Sequence, residues 1–259
     1  MTALPRHVLR PVLRAPWLLL DLGMPHQVAG WPVLGPSFGT ARHLVWRQVR
    51  DADLPLGADP VTLLATLAEK DGIAADLGLL TAADVTRYAH VEEGTGELAV
   101  EAIATSGLGN GETVIAGPDA IATDEPAAHV GTINLVARLP RPLSFAGFLE
   151  AISIAAEART AAVIGLDLRR KPTDPPFTGT GTDCIVIAAP FAGSTEKPSD
   201  HCGLHTTLGR FLGRAVYRAV REASLAWLSQ EAAAGLLSCQ DQPFGIPVTI
   251  KTEHGREIP

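Results

Sequence analysis

The segment Thr178-Gly179-Thr180-Gly181-Thr182-Asp183 runs straight into the apolar stretch Cys184-Ile185-Val186-Ile187-Ala188-Ala189. Its glycines let the backbone take positive φ and approach another group closely, and its threonine hydroxyls offer donors and acceptors around one carboxylate. An isolated loop of this kind usually spends its threonines on its own backbone. Asp183 changes the balance. A carboxylate placed where the chain enters the core must be paired, metal-bound or used chemically, because burying it alone is costly.

Polar residues flank strand ends in two further places, Ser106 with Asn110 and Thr132 with Asn134, and His205 precedes the last long helix. If these ends converge, they form a pocket with amide and hydroxyl donors, one carboxylate and one imidazole. That set suits amide hydrolysis. A carboxylate and a histidine share the general base and general acid work, while Asn, Thr or backbone donors stabilise the tetrahedral oxyanion. The competing reading of a lone histidine at a helix start is capping or packing.

Other chemistries fit less well. The run Ser106-Gly107-Leu108-Gly109-Asn110-Gly111 resembles a dinucleotide fingerprint, but Glu112 takes the third glycine position and 113–116 reads as a strand. There is no Gly-x-Ser-x-Gly elbow and no His-Glu-x-x-His helix. His201 and His205 are spaced for a metal only within a helix, which Gly203 disfavours, and Cys202 reads as a small turn residue rather than a nucleophile.

The elements that must position these groups are strands at 17–22, 27–34 and 43–49, with turns at Gly23-Met24-Pro25 and Gly35-Pro36-Ser37. A helix follows, capped by Asp59, with Pro60 in its first turn and Gly72 past its end. A short helix is expected from Thr81 with Asp84 in its first turn. Strands at 98–105, 113–116 and 130–139 come next. Ser144 then caps a long helix whose core face is Phe145, Phe148, Leu149, Ile152 and Ala156. His205 or Thr206 opens the last helix, with Leu208, Phe211, Leu212, Ala215, Val216, Ala219 and Val220 as its stripe. Arg210, Arg214 and Arg218 form a row read as solvated surface rather than an anion site. The tail, 239–259, ends in one edge strand at 248–252. The expected fold is α/β, a single domain over 1–259 with a mixed β-sheet covered by three or four helices.

Composition sets the outer bounds. At 259 residues and 46% hydrophobic content the chain can furnish a large core. Its 21 basic and 28 acidic residues give −7, which argues against a nucleic-acid partner. Three irregularly spaced cysteines, Cys184, Cys202 and Cys239, suit a reducing cytosol better than a disulfide framework. The apolar run at Leu18-Leu19-Leu20 is short and preceded by Arg6, Arg10 and Arg14, so neither a signal peptide nor a membrane span is expected. A cytoplasmic protein is the reading; homo-oligomerisation is left open.

Five segments in order carry a resemblance: Ser106-Gly107-Leu108-Gly109-Asn110, Gly131-Thr132-Ile133-Asn134, Glu157-Ala158-Arg159, Thr178 to Asp183, and Gly203-Leu204-His205-Thr206-Thr207-Leu208-Gly209. Together they resemble the adenosylcobinamide amidohydrolase family, over about 17–235 and including Leu80-Thr81-Ala82-Ala83-Asp84. The resemblance implies a cobalamin-salvage enzyme that hydrolyses the amide between cobyric acid and aminopropanol in the corrinoid adenosylcobinamide. The alternative is a non-catalytic corrinoid-binding protein. Carried over residue by residue, Asp183 and His205 match the family's acid and histidine and take the catalytic roles. Asn110, Asn134, Glu157, Thr180, Thr182 and Thr206 take substrate binding; no cofactor and no metal are expected. His201 and Cys202 stand where an aromatic and a small residue are usual, which argues against metal and nucleophile roles for them. Arg159 replaces a lysine, which leaves room for an altered substrate range.

Overall fold

A computed structural model describes residues 8–50, 53–54, 57–115, 131–233, 250–251 and 257–258. Strands β1 (Val12–Arg14), β2 (Trp17–Gly30) and β3 (Phe38–Gln48) lead into helix α1 (Pro60–Lys70). Strands β4 (Leu77–Thr81), β5 (Ala89–Glu93), β6 (Val100–Ser106), β7 (Gly111–Glu112) and β8 (Ile133–Arg138) precede helix α2 (Phe145–Ile164). Strands β9 (Gly179–Thr180) and β10 (Cys184–Ala189) precede helix α3 (Thr207–Ala233), and β11 (Ile250–Lys251) pairs with β12 (Glu257–Ile258) in the tail.

The main sheet has the order β4-β3-β2-β10-β8-β6-β5, with β1 added on β2. Its parallel pairs are β3 with β4, joined through α1, and β8 with β10, joined through α2; the other pairs are antiparallel. It is therefore the mixed sheet expected, covered by three helices. The expected turn at Gly23-Met24-Pro25 is instead a bulge within one continuous strand. Gly23 takes φ 79°, its amide donates to Asp21 at 2.8 Å, and the β2–β3 register shifts between Asp21 and His26.

That bulge bends the sheet over itself, and side-chain alternation fills the fold. Leu18, Leu20 and Leu22 of β2, with Trp46 of β3 and Leu79 of β4, share one buried cluster with Ile103 of β6, Val136 of β8 and Val186 of β10. The alternate residues of β8 and β10, Leu135, Ala137, Ile185 and Ile187, face α2 and α3. On the outside of the other half, Trp17 and Val45 pack with Leu64 and Ala68 of α1. The layers run helix, sheet half, sheet half, helix pair. Asn134 ties the halves directly: its Nδ2 donates to Leu80 O at 2.7 Å, although β8 and β4 are four strands apart in the order.

Local signals place most boundaries. Asp59 accepts from the Val61 and Thr62 amides at the start of α1, and Gly72 follows its end with φ 63°. The helix expected from Thr81 is only a 3-10 turn at Val85–Arg87, capped by Asp84; Thr81 ends β4 and accepts from Ala83 N. The strand expected at 98–105 starts later, after a 3-10 turn at Gly96–Leu98, and pairing near 113–116 falls on β7 instead. Residues 116 and 130, Cys239 and most of the expected tail strand at 248–252 lie outside the described residues.

Ser144 caps α2 as expected, accepting from Gly147 N. The core stripe is rotated: Phe148 is buried, but Phe145 and Leu149 are exposed, and Gly147, Ala151, Ile154 and Ala155 face inward. Charges are sparse on this helix, so several apolar stripes competed, and the small residues won by allowing close approach. At Gly147 a Cβ would run into the Ser199 carbonyl. On α3 the expected stripe holds, with Phe211 only partly buried.

Candidate active site

The end of β6 and the starts of β8 and β10 lie side by side, with Ser106 opposite Ile133 and Cys184 opposite Asn134. Three of the motif segments therefore meet at one edge of the sheet. Gly107 N donates to Thr132 O, Thr132 Oγ1 to Thr182 O at 2.8 Å, and Thr182 Oγ1 to Gly131 O at 3.2 Å. Thr180 pairs with Gly111 between β9 and β7. Gly131 has no room for a side chain: a Cβ there would lie 2.6 Å from Gly107 O and 2.8 Å from Asn110 Oδ1. This glycine serves the close approach of one loop to another.

Asp183 is the hub of the cluster. Its Oδ1 accepts from the Ile133 amide at 3.0 Å and from the Thr180 hydroxyl at 2.5 Å; its Oδ2 accepts from the Thr180 amide at 3.1 Å and from the Arg159 guanidinium. A carboxylate offers about four lone-pair sites, and all four are occupied. The pair is buried, with Asp183 6% and Arg159 17% exposed. Gly179 makes space for it, since a Cβ there would lie 2.5 Å from Asp183 Oδ2 and collide with the Arg159 guanidinium. Among the described residues, Asn110 Oδ1, Asn134 Oδ1 and Arg159 Nε are buried without a hydrogen-bond partner.

His205 sits elsewhere. Its ring lies 5.7 Å from that of His201, centroid to centroid, and His201 Nδ1 is 3.6 Å from Glu150 Oε1. Glu150 Oε2 accepts from the amides of Cys202 and Gly203 at 2.7 and 2.9 Å, and the Cys202 amide in particular holds its carboxyl below the usual range. Thr206 accepts from Gly209 N and so caps α3 beside His205. Glu150 and Arg159 are nine residues apart on α2, about 13 Å along its axis. Asp183 is thus tied to α2 through Arg159, and the turn carrying His205 through Glu150, a different part of the same helix. Cys202 is fully buried, and burial, reinforced by the Glu150 charge, pushes its thiol up to about 12, far from a nucleophile's range.

An open groove of about 810 Å³ runs along α2 and α3. Glu157, Ile154 and Ala158 line one side, and Leu204, Arg210 and Tyr217 the other. Two turns of α2 therefore serve both regions: Glu157 belongs to the groove and Arg159 to the Asp183 cluster. The arginine row does face solvent, but it also has structural work. Arg214 and Arg218 reach the buried Glu93 at 3.0 and 2.5 Å. Sequence reasoning passed over Glu150 and Glu93. Glu150 had one visible signal, since it, Glu157 and Arg159 are the only charged residues within α2. Among the described residues no three His, Cys, Asp or Glu side chains cluster as metal ligands would, and no helix is long and apolar enough to cross a membrane.

The fold and these sites describe an α/β protein with a carboxylate-centred polar cluster at one sheet edge and a separate histidine–carboxylate group. A model of the adenosylcobinamide amidohydrolase family matches residues 5–232, and the chain belongs to that family. An adenosylcobinamide amidohydrolase of Halobacterium salinarum is 31% identical over 153 residues, 59% of this chain and 60% of that protein. An uncharacterized protein of Methanocaldococcus jannaschii is 34% identical over 99 residues, 38% of this chain and 37% of that protein. The matches thus span less than two thirds of these relatives' own length. The crystal structure of the PH0078 protein from Pyrococcus horikoshii OT3 aligns with a TM-score of 0.38 at 12% identity, over 82% of this chain and 77% of that one.

Proposed function

We propose that this chain hydrolyses the amide joining cobyric acid to aminopropanol in adenosylcobinamide, consuming no nucleotide. The family match across residues 5–232, which contains all five motif segments, carries this reading. In the reaction, water adds to the amide carbon, the C–N bond breaks, and the departing nitrogen takes a proton as aminopropanol leaves. Cobyric acid retains the new carboxylate. We assign the work to the cytoplasm, where thiols such as buried Cys184 and Cys202 stay reduced.

In this reading His205 moves the proton and Asp183 fixes the loop that carries Thr180 and Thr182. The occupied lone pairs of Asp183 support that division, because a carboxylate with four donors has no free site for water. His205 is exposed, and Thr206 holds the turn that presents it. Asn110 and Asn134 shape the cluster, and Glu157 meets the substrate in the groove. Adenosylcobinamide incubated with the protein should yield adenosylcobyric acid and aminopropanol by chromatography with mass detection. His205→Ala should lower kcat by about 10²–10⁴-fold and leave unfolding unchanged. A wild-type protein that binds adenosylcobinamide and leaves it intact across neutral pH is instead a corrinoid carrier.

A further inference from the structure

We propose that the α2–α3 groove seats the corrinoid macrocycle, flat against the two helices; this rests on the substrate class of the preceding reading. The floor comes from apolar residues, all small but one. Ile154, Ala158 and Ala161 recur on one face of α2, and Gly213 faces them from α3, where a Cβ would lie 3.5 Å from Ile154 Cγ2 and 3.4 Å from Leu204 Cδ2. Helices that meet through such residues leave a broad, shallow, apolar surface. That shape suits a flat ring better than a narrow chain, and about 810 Å³ falls in the range of small-molecule clefts.

The charges select the kind of ring. Arg214 and Arg218 are taken up by Glu93, so they offer little to an anion. What remains in the groove is one carboxylate, Glu157, which makes no ion pair among the described residues, and one guanidinium. Arg210 spends its Nε on Leu204 O at 2.9 Å, and its terminal nitrogens have no other partner among the described residues. An acceptor and a donor of opposite charge in one groove suit a neutral ligand fringed with carboxamides, each of which both donates and accepts. A phosphate or a polyanion would meet Glu157 and Glu93. Two motif segments also converge here, Glu157-Ala158 and the turn at Leu204, and the latter places His205 next to the groove. A macrocycle lying on this floor brings one of its amide arms to that imidazole.

The test uses spectral titration with cobinamide for binding and adenosylcobinamide turnover for KM, on the full chain. Ala161 is exposed and helical, so Ala161→Glu should fold normally, as a melting curve checks, while it sets a charge on the apolar floor. It should weaken binding and raise KM by about tenfold or more, and Arg210→Ala should weaken binding by roughly three- to tenfold. Both variants binding within twofold of wild type overturns the groove, whether or not hydrolysis occurs. Wild type that binds and does not hydrolyse, with Ala161→Glu failing to bind, overturns the hydrolase and leaves the groove standing. No binding to wild type overturns both.

Discussion

Removing both members of the Asp183–Arg159 pair should destabilise the protein by clearly less than the two single losses added together. The two side chains are 6% and 17% exposed, so either partner left alone is a charge largely out of water. Breaking a buried pair in this way costs about 3–5 kcal/mol, because the orphaned charge keeps its desolvation penalty and loses its partner. For a chain of this size each kcal/mol shifts Tm by about 2–4 °C, so Arg159→Met or Asp183→Asn alone should lower Tm by roughly 6–20 °C. The double variant removes both charges. In it, the carboxamide that replaces the Asp183 carboxylate retains one oxygen for the Ile133 amide and the Thr180 hydroxyl, and the thioether chain that replaces the Arg159 side chain fills the space beside Gly179. Its loss should therefore fall short of the sum of the singles by about 2–3 kcal/mol. Urea unfolding followed by tryptophan fluorescence gives all three values. Arg159→Lys keeps the charge and should lose only about 1 kcal/mol. Singles costing under about 1 kcal/mol, or strictly additive losses, would refute the buried-pair reasoning.

Acid should act through Glu101. Its carboxyl is fully buried in β6, and burial would push it up; bonds from His90 and the Leu9 amide and the charge of Arg138 overcome that and hold it at about 2, against an ordinary 4.5. A depressed carboxyl contributes stability above its unfolded value and loses it as pH falls. Roughly 3 kcal/mol should fade between pH 4.5 and 2, and Glu101→Gln, though less stable at neutral pH, should show a flatter stability curve over that window; an unchanged slope contradicts the assignment. The buried thiols of Cys184 and Cys202, pushed up to about 11 and about 12, should resist iodoacetamide in the native protein and react once it is unfolded, as peptide mass mapping would show. Rapid native labelling of Cys202 would restore a thiol chemistry to the site.

Much of this architecture is legible in the sequence because its signals are local. Asp59, Pro60 and Gly72 mark α1, and Ser144 marks the start of α2, each through a cap that needs no tertiary partner. The bulge in β2 was not legible: Gly23 and Pro25 look like a turn, and only pairing with β3 shows that the strand continues through them. The face of α2 was also hidden, since a helix with only Glu150, Glu157 and Arg159 charged leaves several stripes apolar. In the site, the sequence identified the loops that meet around Asp183, because Gly, Thr and Asp at strand ends have few other uses. It did not reveal that Arg159 saturates that carboxylate or that the turn carrying His205 is held to α2 through Glu150, nine residues before Arg159. Those depend on where a helix axis falls across the sheet, which no residue spacing encodes.

The central claim is tested most directly by turnover of adenosylcobinamide in water enriched in ¹⁸O. Hydrolysis of the amide places one labelled oxygen in the new carboxyl group of adenosylcobyric acid and none in aminopropanol, and His205→Ala abolishes the labelled product at matched times. Label in the aminopropanol would mean cleavage at a different bond, and recovery of unlabelled, intact adenosylcobinamide from a protein that binds it would contradict the hydrolase.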